Sequence, residues 1–183
     1  MIHIHILKYN TLRRARLEEK DFKQYMSQLK SGLDVDSEVI FFCIGTDRVI
    51  GDSLGPIIGS LLIDRFGKDR VYGDLYNNVT YENIEDKINE IKSKNKNPYI
   101  VAVDAALSTN ENIGKIFVDD GINFGNSLGR SFNKIGDVGV KVVVGKDYND
   151  PELNFNCLQN IPLSKILNLS KKTFEGISLI MNK

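Results

Sequence analysis

Short apolar runs alternate along the chain with segments in which apolar residues recur at helical spacing. Residues 39–44 and 99–104 are apolar almost throughout, which is typical of strands buried on both faces of a parallel sheet. Further strands are predicted at 71–75, 115–119 and 139–144. The alternation of strands and helices predicts a mostly parallel sheet that is covered by helices and joined by right-handed crossovers.

Four segments repeat apolar residues every three or four positions and predict amphipathic helices over 12–33, 54–66, 83–94 and 162–181. Asn83 is the candidate N-cap of the third helix, and Pro162 is predicted in the first turn of the fourth. Residues 119–136 contain several glycines and read as a long loop. The predicted inward-facing helix residues are Phe22, Tyr25, Met26, Leu29, Leu33, Leu54, Ile57, Ile58, Leu61, Leu62, Phe66, Ile84, Ile88, Ile91, Leu163, Ile166, Leu167, Phe174, Ile177 and Met181.

The composition is that of one globular domain spanning residues 1–183. The chain has 42% hydrophobic residues and balances 24 Lys and Arg against 24 Asp and Glu, so charge gives no reason to expect nucleic acid or an anionic membrane as a partner. The N-terminus lacks the features of a signal peptide, and no apolar run is long enough to span a bilayer. Two distant cysteines, Cys43 and Cys157, fit a reducing compartment, and we expect a cytoplasmic protein.

Two aspartates stand where a parallel sheet binds its ligands. Asp52 lies in the loop that follows the first apolar strand, and Asp104 ends the strand at 99–104. Ligands bind beyond the carboxyl ends of parallel strands, so the two side chains are expected to face one crevice. A close pair of carboxylates shares one proton, which leaves one group to activate water and the other to donate a proton. Hydrolysis requires this division of roles.

Each of these residues also has a structural interpretation. Asp52 precedes a helix and suits an N-cap, and Asp104 suits a turn after its strand. Asp47 and Arg48 suit a surface ion pair, although Arg48 also suits binding of a substrate carboxylate or tuning of Asp52. Glycines in the loop suit turn geometry, since their spacing matches no phosphate-binding motif.

Few residues support a metal site or nucleophilic catalysis. His3 and His5 are the only histidines, and their spacing places both on one face of a predicted strand, where a solvated edge is favoured over a metal site. Cys43 falls inside an apolar strand, and no nucleophile elbow is present. We therefore expect no metal and no cofactor.

Four segments together resemble the YyaC-type sporulation proteins, relatives of the spore germination protease. They are Ile44-Gly-Thr-Asp-Arg-Val-Ile-Gly-Asp-Ser-Leu-Gly-Pro56, Val103-Asp-Ala-Ala-Leu107, Ile135-Gly-Asp-Val-Gly139 and Leu158-Gln-Asn160. The resemblance covers roughly residues 38–180, and the first motif is long enough to be specific. It implies a three-layer α/β/α, phosphorylase/hydrolase-like fold that is shared with the germination protease and the hydrogenase-maturation endopeptidases.

The resemblance also implies a function. Asp52 and Asp104 fall at the positions of the two catalytic aspartates of the germination protease, which implies a peptidase acting on small spore proteins or a protein precursor, in the cytoplasm or forespore. Asp47, Arg48, Gly51, Ser53 and Gly129 are then candidate substrate-binding residues. Two alternatives stay open: a catalytically silent module that binds a peptide or protein, and a metal-dependent maturation-type endopeptidase. A homo-oligomer is compatible with either.

Overall fold

Six strands form one sheet in this computed structural model, which describes residues 15–17, 19–31, 33–34, 36–122 and 134–180. The strands are β1 (Ala15–Leu17), β2 (Glu38–Cys43), β3 (Val71–Tyr72), β4 (Pro98–Ser108), β5 (Ile116–Asp119) and β6 (Val138–Lys146). Their order across the sheet is β1-β5-β6-β4-β2-β3. The helices are α1 (Glu19–Ser31), α2 (Leu54–Phe66), α3 (Ile84–Lys94), α4 (Pro151–Gln159) and α5 (Leu163–Ser178).

The sheet is mostly parallel, as predicted. β2 pairs in parallel with β3 and β4, and β4 pairs in parallel with β6. β5 runs antiparallel to both of its neighbours, β6 and β1. The connections alternate strand and helix from β2 to β4, which is why this half of the sheet is parallel.

Helices cover both faces of the sheet and confirm the three-layer α/β/α fold. One apolar cluster joins one face of the strands to α1, α2 and α5 through residues such as Met26, Ile58 and Ile166. A smaller cluster joins the opposite face to α3 through Ile84 and Ile91. The predicted burial of Phe22, Leu54 and Leu62 is confirmed, and each side chain is fully buried.

The first predicted helix is wrong at its N-terminal end. Residues 15–17 form β1 and pair with β5, and the helix begins only at Glu19. This pairing with a sheet edge, and not local helix propensity, decides the conformation of residues 15–17. Residues 12–14, 18 and 32 of the predicted helix lie outside the described residues.

Three other boundaries also differ from the prediction. β3 ends at Tyr72, because Gly73 adopts a positive φ of 94° and turns the chain out of the sheet. Asn83 occupies the N-cap position of α3, but its side chain accepts a hydrogen bond from the Thr80 amide instead of capping the helix. Pro162 is the N-cap residue of α5 and lies just before the first turn.

The buried face of α5 is narrower than predicted, and α4 was not predicted at all. Leu163 and Leu167 are half exposed, because the face that meets the sheet is centred on Ile166, Thr173 and Ile177. Met181 lies outside the described residues. α4 has few apolar residues at helical spacing, and its only strong signal is Asp150 before a proline. The Asp150 side chain accepts from the Leu153 amide (2.9 Å) and caps the helix.

The ends of the predicted 119–136 loop extend the β5–β6 pairing. Ile122 and Ile135 exchange two backbone hydrogen bonds of 2.8 and 2.9 Å. Residues 123–133, which include Gly129, lie outside the described residues.

Two close contacts of glycines fix the positions of helices α2 and α5. A Cβ at Gly59 in α2 would lie 1.8 Å from the carbonyl oxygen of Gly73, just after β3. A Cβ at Gly176 in α5 would lie 2.1 Å from the ring of Phe22 in α1. Both helices therefore approach their neighbours at distances that only glycine permits.

Replacing Gly59 with alanine should destabilise the protein, although alanine is the better helix former. The gain in helix propensity is about 1 kcal/mol, and overpacking against backbone is expected to exceed it, giving a net loss of roughly 1–3 kcal/mol in the free energy of unfolding. Urea unfolding followed by circular dichroism measures the change. Asp64→Ala, on the exposed side of the same helix, is the matched control and should be nearly neutral; a stabilised Gly59→Ala variant would contradict the packing described here.

Candidate active site

The candidate site begins where β2 ends beside a longer neighbour. β2 pairs with β4 up to Cys43 opposite Val103, whereas β4 continues to Ser108 and pairs with β6 as far as Lys146. The prediction that Asp104 ends its strand is therefore wrong, because β4 continues for four more residues to Ser108. Asp104 is the first β4 residue beyond the β2 pairing, because no turn residue interrupts the strand before Thr109.

This position is a topological switch point of the sheet. The chain leaves β2 through α2 toward β3 on one side, and it leaves β4 toward β5 and β6 on the other. Crevices at such points, outside the carboxyl ends of the strands, are where open α/β sheets bind ligands. The candidate site thus lies between the carboxyl end of β2 and the continuing part of β4.

The loop after β2 occupies the space beside Asp104. Its last turn is a 3₁₀ helix, Ile50–Ser53, which carries Asp52 and contacts β4. The loop folds tightly because Gly45 has a positive φ of 137° and a Cβ there would lie 2.1 Å from the Asp52 carbonyl oxygen. The structure therefore brings the segment that bears Asp52 against the strand that bears Asp104.

Asp52 is half-buried, and its carboxylate bonds to the backbone at the start of the loop that carries it. Oδ2 accepts a hydrogen bond of 3.0 Å from the Thr46 amide. The N-cap position of α2 belongs to Ser53, whose hydroxyl donates to the Ile50 carbonyl (2.7 Å) and not to the helix terminus. The carboxylate of Asp52 is thus directed across the loop, toward the end of β2.

A network of polar side chains joins this loop to the loop that follows β3. Asn78 Oδ1 accepts from the Thr46 hydroxyl (2.9 Å) and from the Asp47 amide (3.2 Å), while its Nδ2 donates to the Asp74 carbonyl (2.9 Å). The buried Asp74 carboxylate accepts from the amides of Tyr76 and Asn77 (2.7 and 3.0 Å). These contacts connect the loop that carries Asp52 to the loop that follows β3.

Asp104 is 3% exposed and has a buried lysine as its register neighbour. Lys141 of β6, also 3% exposed, pairs with Asp104 in the sheet register and forms an ion pair of 3.2 Å with Asp119 of β5. Lysine is rarely buried unless it is paired. Lys141 is not among the predicted site residues, although a single lysine inside the apolar run of β6 is a usable signal.

The candidate substrate-binding residues have different surroundings. Asp47 and Arg48 are exposed at the outer side of the loop. Gly51 is buried and faces Leu158 and Ile161, since a Cβ there would lie 2.6 and 3.0 Å from their side chains. Ser53 is buried with its hydroxyl bonded as described above. Gly129 lies outside the described residues.

Cys43 has the surroundings of a structural thiol. It is fully buried in β2, and burial together with the nearby Asp74 carboxylate raises the pKa of its thiol well above the usual range. Within the described residues, no group of three His, Cys, Asp or Glu side chains is arranged to hold a metal ion. His3 and His5 lie outside the described residues.

A solved protease shares this fold. The crystal structure of the [NiFe] hydrogenase maturation protease HycI from Thermococcus kodakarensis KOD1 superimposes with a TM-score of 0.55 at 18% sequence identity. The match covers 85% of this chain and 99% of that chain. It shows that the two proteins share a fold.

Sequence comparison then gives the family. The chain belongs to the family described as "Protein of unknown function (DUF1256)", which matches residues 13–176. It is 34% identical over 164 residues to the "Uncharacterized protein YyaC" of Bacillus subtilis (strain 168), covering 86% of this chain and 77% of that protein. The resemblance to YyaC-type proteins is thereby confirmed.

Cys43 should resist alkylation in the native protein, whereas Cys157, which is half-buried, should react. Iodoacetamide attacks the thiolate, and the raised pKa of Cys43 keeps it protonated even at mildly alkaline pH. In Cys157→Ser protein, mass spectrometry should therefore detect labelling of Cys43 only after unfolding, and Cys43→Ser is the matched control. Rapid labelling of Cys43 in folded Cys157→Ser protein would mean that β2 is not buried as described.

Proposed function

We propose that this protein is an aspartate-dependent peptidase of a sporulating bacterium, in which Asp52 and Asp104 activate water to hydrolyse a peptide bond. One observation carries the proposal: the turn that bears Asp52 packs against β4 at the point where Asp104 emerges from the β2 pairing. Both acidic residues belong to segments at the switch point of the sheet, where open α/β sheets bind their ligands.

The chemistry needs one carboxylate and one carboxylic acid. The carboxylate accepts a proton from water as the oxygen attacks the peptide carbonyl carbon, and the acid donates its proton to the nitrogen of the departing amine. Water is consumed, a carboxyl and an amine are released, and the pair ends with one proton, as it began. Two carboxyl groups that share one crevice favour this singly protonated state, because both do not readily carry charge close together.

The surroundings of Asp52 favour it as the base. The Thr46 amide donates to its Oδ2, an interaction that stabilises the ionised carboxylate. The loop network through Asn78 holds that amide in place. In this assignment Asp104 supplies the proton to the leaving amine.

The substrate and the compartment come from the resemblance. YyaC-type proteins are relatives of the germination protease, so small spore proteins or a protein precursor are the proposed substrates, in the cytoplasm or the forespore. A hydrogenase maturation protease uses the same fold, which makes proteolysis on this scaffold a reasonable analogy. Within the described residues, no helix is both long and apolar enough to cross a bilayer.

Asp52→Asn and Asp104→Asn should each abolish most peptide cleavage without unfolding the protein. Asparagine keeps a side-chain oxygen, which at position 52 still accepts the hydrogen bond from the Thr46 amide. It cannot hold the shared proton, so kcat should fall about a hundredfold or more. Cleavage of small spore proteins and of peptide libraries, followed by mass spectrometry, measures the change, with thermal unfolding as the check on folding. Asp64→Asn on the exposed side of α2 is the matched control and should cleave normally.

Two results would reject this mechanism. Normal turnover in either asparagine variant would remove that aspartate from the chemistry. A wild-type protein that cleaves nothing, but retains a specific partner equally well in both variants, would identify a binding module.

Chelation should leave the peptidase activity unchanged. The chain has no histidine after His5, and the described residues offer no metal-binding cluster of three. Protein purified without added metal and dialysed against EDTA should retain its turnover, and elemental analysis should find nickel and zinc far below one ion per chain. Stoichiometric metal that disappears in Asp52→Asn would instead favour the metal-dependent alternative.

A further inference from the structure

Exposed apolar side chains are concentrated at the carboxyl end of the sheet. The carboxyl-edge loops are residues 44–53, 73–83, 109–115 and 146–152, which follow β2, β3, β4 and the end of β6. Seven large hydrophobic side chains are exposed in the described part of the chain, and four of them lie on these loops: Ile50, Leu75, Tyr76 and Tyr148. A fifth, Leu153, is the next residue along the chain. Single exposed apolar residues are ordinary, but a concentration on one edge marks an interaction site.

Three of these segments meet at the loop that carries Asp52. The hydrogen bonds of Asn78 join loop 73–83 to loop 44–53. On the other side, Gly51 packs against Leu158 of α4, the helix that begins within loop 146–152. Ile50 belongs to the loop that contacts both of these neighbours, and it lies two residues from Asp52.

The same surface is acidic although the whole chain is neutral. The carboxyl-edge loops contain eight acidic and three basic residues, against 24 of each in the chain. Asp47, Glu82, Glu111, Asp150 and Glu152 are exposed members of this set. One of the three cations, Lys146, lies 4.6 Å from the centre of the Tyr148 ring. An apolar surface with excess negative charge attracts cationic and apolar ligands.

We infer that the carboxyl-edge loops bind a peptide segment in which apolar residues alternate with lysine or arginine. The inference rests on the proposed function and names the substrate class of the same site. Charge complementarity selects this occupant: a nucleic acid carries the wrong charge, and a second copy would present the same acidic edge. The apolar side chains contact Ile50, Tyr76 and Leu153, and the cations of the peptide face the exposed carboxylates.

The test measures binding separately from cleavage. Three fluorescein-labelled peptides of equal length serve as probes. In the first, Leu and Phe alternate with Lys and Arg. In the second, Glu replaces the Lys and Arg, and in the third, Ser replaces the Leu and Phe. Fluorescence anisotropy with Asp104→Asn protein reports binding without turnover, and wild-type protein is measured in parallel. The cationic and apolar peptide should bind about tenfold or more tightly than either of the others, and added salt should weaken its binding.

Variants of exposed residues locate the binding surface. Tyr76→Ala should weaken binding about fivefold through lost apolar contact, and Glu152→Lys should weaken it about threefold at low salt. The matched controls are Leu167→Ala, an exposed apolar residue on α5, and Asp64→Lys, an exposed acid on α2. Neither control should change the affinity.

The outcomes separate this inference from the peptidase proposal. The inference is supported if the protein prefers the cationic and apolar peptide and if Tyr76→Ala and Glu152→Lys both weaken this binding. That holds even if wild-type protein never cleaves the peptide. Equal binding of all three peptides, or losses that are the same in the controls, overturns it. Cleavage by wild-type protein without preference for the cationic and apolar peptide also overturns it, and leaves the peptidase proposal standing.

Discussion

The early end of β2 beside a longer β4 is the constraint on which the candidate site depends. Once β2 stops pairing at Cys43, the backbone of β4 beyond Val103 lacks a strand on that side. The chain fills this space with a tight loop and a 3₁₀ turn, and Gly45 makes that path sterically accessible. The placement of the turn that carries Asp52 against the strand that carries Asp104 follows from this mismatch in strand length.

The loops at this edge are irregular, yet their backbone groups are well bonded. Asn78 and Asp74 satisfy amides and hydroxyls that no strand or helix would otherwise reach. Functional residues often lie on loops that a rigid scaffold positions. Here the scaffold extends into the loops themselves, because Asp74 bonds to the backbone of its own loop and Asn78 bonds to the loop that carries Asp52. Such an arrangement suits a site whose groups must stay aligned during reaction.

The sequence predicted the parallel core well because its signals there are local. The apolar runs of β2 and β4 and the apolar face of Leu54, Ile58 and Leu62 depend on burial alone. The errors arise where distant pairing decides the outcome. The length of β4 depends on β6, and β1 exists because β5 offers a free edge. α4 was not predicted because its sequence signal is the N-cap Asp150 and not an apolar stripe at helical spacing.

The same distinction applies to the candidate site. Asp52 and Asp104 could be selected from their positions after apolar runs, and the structure brings their segments together. The hydrogen bonds from Thr46 and Asp47 to Asn78 and the ion pair between Lys141 and Asp119 join residues that are 22 or more positions apart. Neither has a local pattern. Because Lys141 and Asp119 are both largely buried, removal of either one breaks a buried ion pair, at an expected cost of about 3–5 kcal/mol.

The N-terminal elements cover surfaces that the core cannot leave open. β1 pairs with the outer edge of β5, and the ring of Phe22 in α1 fills the gap at Gly176 of α5. Proteolytic removal of residues 15–31 would uncover both a row of unpaired backbone groups and an apolar groove beside it. An exposed sheet edge next to apolar surface templates association between chains. β1 and α1, which lie outside the parallel half of the sheet, therefore cover surface that would otherwise promote association between chains.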